Sequence, residues 1–343
     1  ASQHWSGWLL AYLVLSLAAS LLRNPSHGFS LILPQGGILL AAFLVLPPSR
    51  GARIRLSGAV LAVEFGMCLG LKGLSPLAAL WVSGPLLAQA WLGAHLLLHY
   101  APEGRIPDTQ RGISQFLLWG CLLPAMLSSS LTALGLSQAN GHFVTEWLWW
   151  CIQRLNGLLL FAPLLVLCLR SSSTCTHPSH WESLALWGLS CLAAAVIFSM
   201  SNPAGRTLAT YSFLLTPLLL VTAIRLPLTN SLFIVLSASL IAGAADAMAA
   251  GATPISAQRS LIAVSVFLLI NQMVVWLLGA LIEERRHVLN RVQKMRDMYE
   301  MLSHANQALI DLKLTPTQLY ERMCEVIIAK SDFSLACITP LQP

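Results

Sequence analysis

Ten apolar stretches crowd into the first 282 residues of this 343-residue chain, at about 5–22, 29–47, 56–72, 79–98, 114–136, 145–169, 183–200, 210–226, 228–247 and 260–282. A helix that crosses a bilayer needs about 20 predominantly apolar residues. Most of these stretches meet that length, while the third and eighth fall short. The sequence therefore predicts an all-α, polytopic transmembrane helix bundle of eight to ten spans. Charge is distributed to match. Residues 1–281 hold 12 Lys/Arg and 6 Asp/Glu, whereas residues 282–343 hold eight of each. A soluble domain averages about 25% charged residues, so the first part is not a soluble enzyme. The expected organisation is a membrane bundle over 1–282, a cytoplasmic signalling helix over 283–314, and a short soluble segment over 315–343.

The net charge of +6 belongs wholly to the membrane part. Its cations dot short loops instead of clustering on a soluble face, so they report topology and not a nucleic-acid partner. With ten spans and an inside N-terminus, the inner loops hold Arg50, Arg53, Arg55, Arg105, Arg111, Arg170 and Arg225. The outer loops hold Arg23, Lys72, Arg206 and Arg259. Arg285, Arg286, Arg291, Lys294 and Arg296 follow the last apolar stretch directly. Both termini are thus expected in the cytoplasm. Cys68, Cys121, Cys151, Cys168 and Cys191 lie in apolar stretches, where a thiol packs as a small hydrophobe. Cys175, Cys324 and Cys337 are isolated, and no C-x-x-C spacing occurs.

Proline and glycine interrupt the apolar stretches at Pro34-Gln35-Gly36-Gly37, Gly84-Pro85, Pro124, Pro163 and Pro217. Membrane helices tolerate these when neighbours satisfy the freed backbone groups. Packing kinks are the plain reading, and broken helices around a substrate site are the alternative. Ionisable groups at membrane depth are costly, which makes each a candidate for function. The ligand or switch candidates are Glu64, His95, Arg154 and Asn156, with Gln153, Asn271 and Gln272 as further polar residues inside spans. Glu64 and Arg154 have opposite charge and similar expected depth, which predicts that they pair within the bundle. His177-x-x-His180 lacks a third ligand and reads as a solvated loop, so no metal is expected. There is no phosphate-binding loop, nucleophile elbow, zinc-protease or dinucleotide motif. Neither catalytic residues nor a cofactor are expected in this chain.

Beyond the last apolar stretch, apolar spacing alternates four and three residues through Val288, Val292, Met295, Tyr299, Leu302, Asn306 and Leu309. This is a coiled-coil seam over about three heptads, with one Asn to fix register. It predicts a parallel homodimer whose rod continues a membrane helix. Residues 317–329 then carry helical apolar spacing after Thr315-Pro316, and residues 333–338 (F-S-L-A-C-I) read as a strand. That pattern is the opening of an α/β domain.

Three stretches of the membrane part resemble the first-described family of membrane-associated sensor domains, MASE. They are L-P-Q-G-G-I-L-L-A-A (33–42), W-C-I-Q-R-L-N-G-L-L-L-F-A-P-L-L (150–165) and F-L-L-T-P-L-L-L-V-T-A-I-R (213–225). The tail over 299–338 is similar to the entry of a GAF domain of the kind that precedes GGDEF diguanylate cyclases. The resemblance implies a bacterial inner-membrane input module. Its partners would be the lipid bilayer, a second copy of the chain and a small-molecule or protein stimulus. Its output would control cyclic-di-GMP synthesis or turnover. The rival readings are the membrane regulatory region of a histidine kinase and, from a different class, a transporter.

Overall fold

The computed structural model describes residues 5–21, 30, 32–46, 50–101, 109–140, 143–170, 180–199, 212–248, 254–310 and 324. Among them the regular structure is helical: α1 (Trp5–Leu21), α2 (Pro34–Val45), α3 (Arg50–Gly70), α4 (Pro76–Tyr100), α5 (Gln110–Gln115), a π-helical segment (Phe116–Leu122), α6 (Leu123–Asn140), α7 (Phe143–Arg170), α8 (His180–Ser199), α9 (Leu215–Arg225), α10 (Leu228–Met248) and α11 (Pro254–Ile310). Among the described residues six stretches are long and apolar enough to cross a membrane: Pro76–Tyr100, Gln110–Leu136, Phe143–Leu169, Trp181–Ser199, Leu228–Met248 and Ile262–Glu300. The chain divides into two compact units, 1–283 and 284–343.

The core of the first unit is built around α2, in which every residue from Pro34 to Leu44 is buried. A helix apolar on all sides needs protein on all sides, and α7, α4 and α1 supply it. At 12 residues, α2 is about 18 Å long. It is too short to cross a hydrocarbon layer of about 30 Å alone, and the surrounding helices shield its ends. Two glycines allow the closest approach. A Cβ on Gly37 would lie 2.3 Å from the Gly157 carbonyl oxygen, and a Cβ on Gly157 would lie 1.7 Å from the Leu33 carbonyl oxygen. The backbones of α2 and α7 thus touch at the two motifs that carry the family resemblance.

Around this centre α6 packs on α7 and α4, α3 on α4 and α1, and α10 on α7, α8 and α9. Many large apolar side chains face outward, among them Leu10, Leu80, Leu127, Leu192, Phe233 and Ile270. An apolar exterior over buried polar groups is the arrangement a lipid solvent requires.

The third apolar stretch, short in the sequence reading, is a helix of 21 residues. It begins earlier and absorbs the arginines that had marked a loop. Arg53 donates to the Phe43 carbonyl (3.0 Å) and Arg55 to the Gly51 carbonyl (3.2 Å), so these cations bond to backbone at the helix start. The second stretch, read as a span, holds only the 12-residue α2. The eighth holds the 11-residue α9. Pro85 and Pro163 lie inside continuous helices, so they do not break α4 or α7. The π-helical segment immediately precedes the turn containing Pro124. A wide turn accommodates a proline that lacks an N–H and crowds the preceding carbonyls. It also brings the Gly120 carbonyl to within 2.8 Å of where a Gly93 Cβ would stand, which requires glycine on α4.

In the second unit α11 runs on through Ile310 as one helix with the membrane stretch that precedes it. Within it Val288, Val292, Met295, Tyr299 and Leu302 are exposed on a single chain, as is Asn306. The side chain of Leu309, the strand expected over 333–338 and His177 lie outside the described residues. Of residues 315–343, only Cys324 is described.

Candidate polar sites within the bundle

Two buried polar clusters are on view, and each holds one of the residues expected to pair. Glu64 on α3 is 2% exposed. Its Oε2 accepts from the Tyr12 hydroxyl of α1 (2.9 Å), and its Oε1 accepts from Lys72 Nζ (2.8 Å) and, more distantly, from Cys68 Sγ (3.8 Å). The local fold explains why Lys72 reaches it. The helix ends at Gly70, and the Leu74 N–H bonds back to the Cys68 carbonyl at 3.0 Å. Gly73 takes φ +64°, a left-handed conformation that glycine adopts without a Cβ clash. The Lys72 N–H bonds to the Met67 carbonyl at 3.1 Å, so Lys72 continues the last turn of α3 and its stem reaches back two turns to the carboxylate.

Arg154 on α7 is also 2% exposed, and its partners are neutral. Nη1 donates to Gln89 Oε1 of α4 (3.2 Å) and Nη2 donates to Thr132 Oγ1 of α6 (2.7 Å). Ser128 Oγ also donates to Gln89 Oε1 (3.0 Å), and the Trp150 ring lies under the guanidinium at 5.7 Å. Cation–π contact of this kind contributes about 0.5–2 kcal/mol. A charge held at the bilayer centre costs about 2.5–3.5 kcal/mol on insertion scales, so these contacts offset the cost only in part.

Glu64 and Arg154, expected to pair, act on each other electrostatically, while their hydrogen bonds go to other residues. Glu64 is engaged by Lys72 and Tyr12, and Arg154 by Gln89 and Thr132. The nearer cation won because it sits on the same helix end, where little chain must be ordered to bring it in. Asn156 donates from Nδ2 to the Ser265 carbonyl (3.1 Å), which ties α7 to α11. Gln153 donates to the Ser30 carbonyl. Asn271 caps a carbonyl of its own helix, that of Phe267 at 2.9 Å. His95 is exposed and meets His99 edge-on at 4.3 Å between ring centres, so it faces out of the bundle instead of lining its interior. Among the described residues no group of His, Cys, Asp and Glu is arranged to hold a metal.

Gln89, Thr132, Ser128, Tyr12 and Lys72 were not singled out from sequence as members of these clusters. Gln89 was legible, being an amide in the middle of the fourth apolar stretch. Ser128 and Thr132 were not, because both also back-bond to their own helix, at 3.1 Å in each case, as such residues ordinarily do.

The Lys72 contact has a measurable consequence. Lys72→Met should lower stability by about 1–2 kcal/mol, because a charged acceptor loses its cation while keeping Tyr12. Unfolding of the parent and the variant in detergent checks this. Unchanged stability would contradict the buried Lys72–Glu64 contact.

An all-α bundle with, among the described residues, six apolar helices of spanning length and polar clusters enclosed within it defines a multi-pass membrane protein. The chain belongs to the MASE1 family, whose model matches residues 6–286. MASE1 domains are sensory membrane input domains of signalling proteins and are not catalytic. No curated protein and no solved structure matched the chain.

Proposed function

We propose that this chain is the input module of a dimeric sensor in the bacterial inner membrane. In this reading a stimulus received in the bundle shifts it between two packings. The helix α11 carries the shift to a C-terminal effector that makes or degrades cyclic-di-GMP. Both termini are cytoplasmic, in keeping with the Lys/Arg asymmetry of the loops and the basic stretch after the last span. Residues 315–343 serve as the entry to a GAF-like domain. The candidate ligand or switch residues are those buried in the bundle, Glu64, Arg154 and Asn156.

One observation carries this reading. The 57 residues of α11 form a single helix that begins in an apolar span and ends beyond the exposed seam. A continuous helix transmits rotation or translation, whereas a loop would absorb it. Asn156 bonds to the Ser265 carbonyl, so a change in α7 packing acts directly on that helix. A stimulus moves such a device only if it binds the two packings with different affinity.

The test is a phase series in the full-length protein. Inserting two or four residues after Lys294 rotates whatever follows relative to the bundle, while seven residues restore the heptad phase. Effector output should change with two and four and return near its original level with seven. Equal output from all three would reduce α11 to a tether.

A further inference from the structure

We infer that the Arg154 cluster is a binding site for a small carboxylate, which names the ligand class of the sensory reading above and rests on it. The guanidinium keeps its proton, and among the described residues no carboxylate bonds to it. Glu64 acts on it electrostatically but bonds to Lys72 at 2.8 Å, so these three charges still sum to one positive. Arg154 Nε and Gln89 Nε2 are buried and have no hydrogen-bond partner, although their residues are 2% and 1% exposed.

The orientation of Gln89 follows from its neighbours. Its Oε1 faces two donors, Arg154 Nη1 and Ser128 Oγ, so its amide nitrogen points the other way. There it meets the first turn of α2, lying 3.5 Å from where a Gly36 Cβ would stand. That turn has no side-chain cap, and its N-cap residue is Leu33, which offers no side-chain acceptor. The N–H groups of a helix's first turn lack intrahelical partners and carry the positive end of its dipole. The Nε edge of Arg154 on one side of Gln89, and the Gln89 amide nitrogen with the N-terminus of α2 on the other, are thus sources of unmet positive potential around one side chain.

The class of anion follows from geometry and charge. The Nε–Nη2 edge of arginine presents two parallel donors, which match the two oxygens of a carboxylate. Nη2 spends one of its two hydrogens on Thr132 and retains the other for this edge. A single buried positive charge balances one carboxylate, whereas a phosphate dianion would carry an uncompensated negative charge into the bundle. The site joins α2, α4, α6 and α7, so its occupation would bias the helix packing that the sensor must change.

The experiment uses the full chain in lipid nanodiscs. Thermal unfolding is followed with sodium acetate or sodium succinate, against sodium chloride and sodium phosphate at equal ionic strength. A carboxylate at roughly ten times its Kd should raise Tm by about 2–4 °C, and chloride and phosphate should not. Arg154→Met should abolish that rise. Because this variant could fold poorly, Gln89→Glu provides the second arm. It supplies the carboxylate internally, so it should raise Tm without any probe and remove the response to acetate and succinate. The site is overturned if neither carboxylate exceeds chloride, if phosphate matches them, or if Gln89→Glu leaves the response intact. The sensory reading fails separately: a carboxylate that binds yet leaves inter-chain crosslinking at position 295 unchanged would keep the site and remove its coupling to α11.

Discussion

Gly157→Ala is expected to cost about 3 kcal/mol or more and to lower Tm by about 6–12 °C. The new Cβ would stand 1.7 Å from the Leu33 carbonyl oxygen and 2.7 Å from its carbon. Both obstacles are backbone, so no side-chain rotation relieves them. Nor can α2 move aside, because every residue from Pro34 to Leu44 is enclosed. The clash must be relieved by separating α2 from α7, which opens the centre of the bundle. Gly58 on α3 and Gly188 on α8 make the comparison internal to the protein. Nothing lies within 4 Å of a Cβ at either, so alanine there should be neutral or gain up to about 1 kcal/mol of helix propensity. Thermal unfolding of the three variants in one detergent tests this. Equal effects at all three sites would contradict a backbone-to-backbone contact between α2 and α7.

The same contact shows what could be read in the sequence. The apolar stretches located the helices, because a chain with so few charges over 281 residues has no other way to satisfy its backbone in lipid. The enclosure of α2 was not legible. Pro34-Gln35-Gly36-Gly37 reads equally as a kink, a break or a contact, and only the facing Gly157 distinguishes them. Boundaries drawn at charges were wrong at α3, since Arg53 and Arg55 bond to backbone carbonyls and continue the helix. Of the four candidate residues Glu64, Arg154 and Asn156 are buried and His95 is exposed, so position in an apolar run alone does not decide burial. Their partners were not legible. Partner choice depends on the end of α3, from which Lys72 reaches back to Glu64, and on the face of α4 that presents Gln89 to Arg154. Neither leaves a periodic mark.

The account stands or falls on α11 as the output element, and its seam makes the second large prediction. On one chain Val288, Val292, Met295, Tyr299 and Leu302 are 46–68% exposed, at alternating four- and three-residue spacing. Fully burying an apolar side chain contributes about 1.5–3 kcal/mol. The seam therefore has a strong reason to meet a copy of itself once the membrane has concentrated two chains. Arg296 and Glu300, 3.7 Å apart, are both exposed and hold a one-turn ion pair outside the seam. Asp297 stands outside it as well, farthest from the seam positions in heptad phase. Met295→Cys and Asp297→Cys place a thiol on the two faces of the same turn. Oxidation in membranes, scored against the parent chain, whose own cysteines set the background, reads which face meets a partner. The account predicts a disulfide-linked dimer with cysteine at 295 and only background at 297. Equal crosslinking at both positions, or none above background at 295, would contradict it.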